Sequence, residues 1–395
     1  MTKLFAQHGA AKGKKIDNAF DNDRIQGVIM SPREEGIDTM ISYFNNNNLL
    51  NKDNCLYDPQ FYYSTYNTSL LKKLEELECY PQNVERKDWR KKAERLLNYF
   101  DSHVKQSEKF SNSIIVPGFH IDKLDWKLDY SLDIYSYFYE KYENKNQYLS
   151  LLISFSLFHS SSDVDEMIEE VIDSIPKEER NGIYLTICYE STSNNNYEDV
   201  DPENLANVLY FVHSLKKEGF RIIVGYTFIN SLLFAMLECD IVSSGWFNTL
   251  RKFNKDRFEE SDTFGRRKKR YTSIPLLTNI TFDIINNFDN DLFIKCLSGT
   301  SFDEAVADDL ESVSFVDLEQ QYWEAINNCI RDINESNEKI EYTIELIKDA
   351  KELYSDILAR NSSAVELCSR IKKASSHLDV WITAILLFKR RASIV

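Results

Sequence analysis

The sequence predicts an α/β protein of the (β/α)8, TIM-barrel-like class, on three observations. Short apolar runs rich in Ile, Val, Phe and Tyr recur through the first three quarters of the chain without polar alternation. Strands read this way when a parallel sheet is covered on both faces. Longer stretches of helical periodicity separate the runs, so the repeating unit is strand, crossover helix, strand. The first run also ends in "MSPREEG", with neither a GxGxxG nor a GxxxxGK[ST] pattern. The alternative, an open doubly wound parallel sheet, ordinarily carries a glycine-rich phosphate loop there.

The expected strands, in order, are "IQGVIMSP" (25–32), "CLYDPQFYY" (55–63), "SIIVPGFHI" (113–121), "YLSLLISFSLF" (148–158), "GIYLTICYES" (182–191), "FRIIVGYTF" (220–228), "DIVSSGWF" (240–247) and "RYTSIPLL" (270–277). Between them, "EEGIDTMISYF" and "DVDEMIEEVIDSI" place apolar residues on one helical face. "DPENLANVLYFVHSLKKEG" is the best-marked helix: Asp201 is its N-cap, Pro202 fits its first turn, two lysines close it and Gly219 stops it. Residues 64–110 hold two amphipathic segments where one would suffice, which reads as a helical insertion after the second strand. From 301 to 395 glycine and proline vanish, and the texture becomes that of an all-helical C-terminal domain behind a barrel of residues 1–300. "HGAAKGKK" (8–15) reads as a flexible lead-in.

Composition narrows the function. The 395 residues are 43% hydrophobic and 13% aromatic, ample for a large core. A net charge of −16 argues against duplex nucleic acid, whose binders neutralise phosphate with basic faces. One basic run, "RRKKR" at 266–270, stands against that trend and reads as a solvated loop. Seven scattered cysteines with no CxxC spacing read as reduced thiols. No secretory leader and no membrane-length apolar run is present. A cytoplasmic protein without membrane contact is the expectation.

In such a barrel the C-terminal strand ends converge on one mouth, and polar residues punctuate those ends here. "SIIVPGFHID" runs from wall into Pro-Gly and then offers His120. "LYDPQ" offers Asp58, and "YLTICYE" ends in Tyr189 and Glu190. A carboxylate after a continuous buried run must be paired or poised for proton transfer. Asp58 and Glu190 are therefore the expected acid/base groups, with His120 as a proton shuttle. Arg33 and Arg251 are the expected anion clamps, and Tyr226, Ser244, Gly245 and Trp246 complete the ligand surface. "SSGWFNTLRKF" reads as turning into a helix whose start could receive an anion. Neither HxH nor HExxH is present, so the reading includes no metal and no cofactor.

These residues point to an enzyme acting on a sugar- or nucleotide-like ligand, with paired carboxylates suited to glycosidic-bond cleavage or transfer. The alternative is a non-catalytic barrel in a multi-protein assembly, which binds a protein partner or a second copy of itself through residues 301–395.

Overall fold

A computed structural model describes residues 1–66, 73–190, 201–247, 250–258 and 268–394. Eight parallel strands form a nearly closed barrel: β1 (Lys3–Gln7), β2 (Gly27–Met30), β3 (Cys55–Tyr57), β4 (Ser113–Val116), β5 (Asn146–Ser154), β6 (Gly182–Tyr189), β7 (Arg221–Gly225) and β8 (Ile241–Ser244). They follow one another in sequence order, and β8 closes onto β1 in register Leu4↔Val242. The ladder is interrupted only between β3 and β4. There the Asn112 amide donates to the Lys52 carbonyl (3.1 Å), and His103 donates to the Ile115 carbonyl (2.8 Å) while stacking on Tyr57.

Period-two alternation sorts the wall into two faces. One residue from each strand forms the apolar floor inside: Phe5, Ile29, Leu56, Ile115, Tyr148, Tyr184, Ile223 and Ile241. Their neighbours, such as Leu4, Val28, Val116, Leu185 and Val224, face outward into the larger core beneath the helices. That shell runs α1 (Lys15–Asp21), α2 (Ile37–Asn46), α3 (Glu94–Ser107), α4 (Trp126–Lys141), α5 (Ser161–Ser174), α6 (Pro202–Lys217), the short α7 (Ser231–Ala235) and α8 (Phe315–Glu335). The cap read at Asp201 is present, its carboxylate accepting from the Glu203 and Asn204 amides.

Two strand assignments change. Lys3–Gln7, not among the expected strands, is the first barrel strand, so the first seven expected strands each move up one place. Residues 270–277 are not a barrel strand. Arg270–Ser273 (β9) turns back antiparallel onto Thr278–Thr281 (β10) as a separate hairpin. The helical insertion accordingly follows the third strand. Its second segment forms Arg86–Arg90 and α3, broken at Lys92, whose φ is +46°. Residues 73–79 are turns, not the helix expected there.

The eighth shell helix comes from beyond residue 300. α8 packs on β1, α1 and α7 and carries the hairpin, Gln321 bonding both the Thr272 amide and carbonyl. Trp323 donates from its indole to the Ser244 carbonyl (3.0 Å). α9 (Lys339–Arg360) and α10 (Val365–Arg391) pair with each other, and α10 lies along α6. Among the described residues no helix is long and apolar enough to cross a membrane.

Candidate site at the barrel mouth

Two residues beyond the apolar floor, the inward positions turn polar. Gln7, Ser31, Asp58, Ser150, Thr186 and Ser243 are all buried. Gln7 donates to Ser31 Oγ (3.2 Å) and accepts from Ser243 Oγ (2.8 Å), which ties three strand ends together. Asp58 leads this layer. It is 0% exposed and accepts from the Gln60 amide (2.9 Å), Tyr62 Oη (3.1 Å) and Tyr184 Oη (3.3 Å). Burial pushes its pKa up to about 6, against those hydrogen bonds and the charge of Arg257. Asp58 therefore exchanges a proton near neutral pH in a site lined by hydroxyls.

The chain around Asp58 is held in an unusual form. Gln60 and Tyr226, at the ends of β3 and β7, both take left-handed backbone with φ of +53° and +55°. Non-glycine residues adopt this conformation at a cost, and such strain gathers at functional sites. The two side chains approach each other at 3.5 Å (Gln60 Nε2 to Tyr226 Oη). Gln60 Oε1 also accepts the Arg33 amide (2.9 Å), while the Arg33 side chain pairs with Glu34 (3.1 Å) and lies over the Tyr63 ring.

Across the mouth runs a strap, Phe253–Phe258. It opens as a short strand in register Phe253↔Cys188 with β6 and continues as a 3-10 turn. Phe253 packs edge-on to Tyr62 and Tyr226; Arg257 lies over Tyr226 (5.0 Å) and bonds Tyr63 Oη (3.4 Å). Phe258 stacks on Tyr66 (4.1 Å) and His120 (4.9 Å).

The expected site residues divide into three groups. Asp58, Arg33 and Tyr226 meet, together with Gln60, Tyr62, Tyr184 and Arg257. Among the described residues His120 joins them through Phe258 and Tyr66, and its setting differs from the expected one. Pro117-Gly118 does not send the chain out to the rim. It makes a bulge, after which His120–Ile121 rejoins β5 in register His120↔Leu152. A Cβ on Gly118 would sit 2.1 Å from the Ser150 carbonyl oxygen, so the close approach requires glycine. His120 is 1% exposed, and burial lowers its pKa to about 4, leaving a neutral ring. Asp122 is outside, bonded to Lys127 (2.6 Å).

The remaining residues lie elsewhere. Glu190 was read as buried, yet its side chain is 55% exposed on the outer lip beside Lys255 (3.4 Å). Tyr189 is half-buried against Phe155 under Lys252. Ser244 points away from the mouth to Tyr322 of α8, and Ser243 is the inward serine. A slip of one residue exchanges the faces of a strand. Gly245 is fixed by packing, since a Cβ there would meet the Leu250 side chain at 2.2 Å. Trp246 is 1% exposed and donates to the Ala10 carbonyl (3.0 Å). Arg251, read as an anion clamp, is buried, donates to the Gly245 and Trp246 carbonyls (2.9 and 3.2 Å) and lies over Tyr322. The start of the helix expected after Trp246 falls outside the described residues; Leu250 is in 3-10 conformation and the chain turns through Arg251 and Lys252. Residues 248–249, 191 and part of the basic run, 266–267, lie outside the described residues.

One further cluster draws two of its members, His8 and Lys12, from the segment expected to be a flexible lead-in. Just past β1, His8 is 1% exposed, with Nδ1 facing the Ser31 carbonyl (3.2 Å) and Nε2 facing Glu35 (2.9 Å). Lys12 bonds the same Glu35 oxygen (2.9 Å) and lies over Tyr43. Burial raises the Glu35 pKa, but His8 and Lys12 outweigh it and hold the group at about 2. A depressed carboxylate adds stability that is complete above about pH 4.5 and drains away as pH falls toward 2. Glu35→Gln is expected to cost on the order of 2 kcal/mol at pH 7 and progressively less toward pH 3. Urea melts of both proteins over that range measure the difference. A pH-independent gap would show that the carboxylate charge is not the cause.

Among the described residues no group of three or more His, Cys, Asp or Glu is placed to hold a metal ion. All seven cysteines are free, and five of them are buried. The chain matches no protein-family model, no curated protein and no solved structure.

Proposed function

We propose that the chain is a barrel enzyme acting on a sugar- or nucleotide-like ligand at the mouth, with Asp58 as the general acid. The observation that carries this reading is the state of Asp58. A carboxyl titrating near pH 6 among tyrosine hydroxyls suits protonation of a leaving-group oxygen, because a catalytic acid works best when its pKa lies near the operating pH. The strained pair Gln60 and Tyr226 supports the same location. Arg33 and Arg257 supply positive charge for an anionic part of the ligand, and the tyrosines and Phe253 a stacking surface for a ring. Glycosidic cleavage needs a second carboxylate. Glu34, held by Arg33 (3.1 Å) and Arg257 (4.0 Å), is the carboxylate in contact with this cluster, the role first read for Glu190.

The test is calorimetric titration of wild-type protein and Asp58→Asn with nucleosides, nucleoside monophosphates and pyranose phosphates, followed by product analysis of any ligand bound. The reading expects one class to bind both proteins and to be turned over by wild type alone. Absence of binding across the panel would overturn it. It would favour the second reading, a non-catalytic scaffold docking partners through residues 301–395. That reading draws support from the strap, because Phe253 and Phe258 are 0% and 5% exposed and fill the mouth.

A further inference from the structure

Past the ends of β4 and β5, three residues from different elements form a hydrogen-bonded line. His120 Nε2 lies 2.9 Å from Ser154 Oγ, and His120 Nδ1 lies 2.6 Å from Tyr66 Oη. Ser154 ends β5, directly opposite Cys188 in the β5–β6 ladder, and so shares the inward face with the polar layer. It also immediately precedes the 3-10 turn Phe155–His159, but its side chain does not cap that turn. The hydroxyl is directed to the imidazole.

We propose that Ser154 and His120 are a nucleophile and its base, with Tyr66 as the positioning residue, forming a second reactive centre that takes a carboxylic ester. The arrangement meets the geometric tests for such a centre: a hydroxyl in hydrogen-bond reach of a base, and a third group orienting that base. When Tyr66 Oη accepts the Nδ1 proton, the lone pair on Nε2 faces Ser154. The ring is buried and neutral, the form a base requires. Its surroundings are aromatic, with Phe258 stacked over it, so an uncharged acyl group suits the place better than a phosphate.

The step balances without a further reagent. Ser154 Oγ forms a bond to the acyl carbon while its proton passes to His120 Nε2. The ester C–O bond then breaks, and the leaving alcohol takes that proton. Water repeats the sequence, giving its proton to His120, releasing the acid and restoring the serine.

A fluorophosphonate probe tests the centre in the full-length protein. Ser154 Oγ would displace fluoride from phosphorus, leaving an adduct that mass spectrometry maps to one peptide. The adduct is expected on Ser154 of the wild type, and faster in Phe258→Ala, where the ring is uncovered. Ser154→Ala should lose it. His120→Gln should form it about 100-fold more slowly or worse, the scale of a missing general base. Tyr66→Phe should slow it without moving the melting temperature, a change that a purely structural role would not produce. No adduct on Ser154 in either wild type or Phe258→Ala overturns the proposal, whatever the variants' stability. Asp58→Asn is expected to keep the adduct, so this centre and the Asp58 reading fail separately.

Discussion

Replacing Asp58 by Asn is expected to make the protein more stable at pH 8 while removing turnover. The folded chain holds this carboxyl near pH 6 instead of its ordinary 3.8, because burial penalises the charge. For an acid shifted upward the folded state holds the proton more tightly. The group's contribution is therefore favourable at low pH and is lost as pH rises from about 4 through 6. Two pKa units correspond to about 3 kcal/mol of such loss at pH 8. Asparagine has the same shape and no charge. Its oxygen can still accept the Gln60 amide, and its amide nitrogen can donate to Tyr62 or Tyr184, since hydroxyls also accept. Denaturant melts at pH 8 should favour Asp58→Asn by about 1–3 kcal/mol, and the gain should vanish near pH 4. Stability bought back by removing a catalytic group is a common signature of function. A loss of stability at pH 8 would instead mark Asp58 as a structural anchor for its neighbours.

The second large effect lies where β8 closes onto β1. Trp323 is 0% exposed, donates to the Ser244 carbonyl and meets Trp246 at 6.1 Å. Trp323→Ala should cost about 3–5 kcal/mol, from lost burial and the cavity left behind. Thermal or urea unfolding reads it directly. The same contact predicts that residues 1–300 alone will not give a compact protein, because β1 and β8 would lose the helix that covers them. A soluble, cooperatively unfolding 1–300 fragment would show that α8 is dispensable to the barrel.

Much of this architecture was readable in the chain. Seven of the apolar runs named from sequence overlap β2 to β8, because a strand covered on both faces leaves an uninterrupted apolar signature. β1 was passed over because "KLFAQ" offers only three apolar residues beside a terminus, where lead-in segments are common. The opposite error at 270–277 had a local sign. Ile274-Pro275-Leu276-Leu277 separates two short runs, a hairpin spacing too short for a parallel crossover.

The site was legible in part. Asp58 and Arg33 follow strand ends directly, so counting along the chain finds them. Tyr184 could not be found that way, since it lies within β6 and reaches Asp58 from below. Arg257 and Phe258 come from a strap that crosses the mouth after β8, and only the folded chain brings them there. Ser244 failed for a simpler reason: a strand's inward set inverts when its register shifts by one. Glu190 has the inward parity of Tyr184 and Thr186 but follows the end of β6, where its side chain turns out to solvent.

The interruption between β3 and β4 has a consequence for how this cylinder tolerates change. Along the other seven junctions main-chain ladders join the staves, so a substitution there need only respect its inside or outside character. At this slit the backbone bond from Asn112 to Lys52 is backed by particular side chains, the imidazole of His103 foremost, wedged between Tyr57 and the Ile115 carbonyl. The vessel is a scroll fastened by a clasp, and its girth is set by what the clasp is made of.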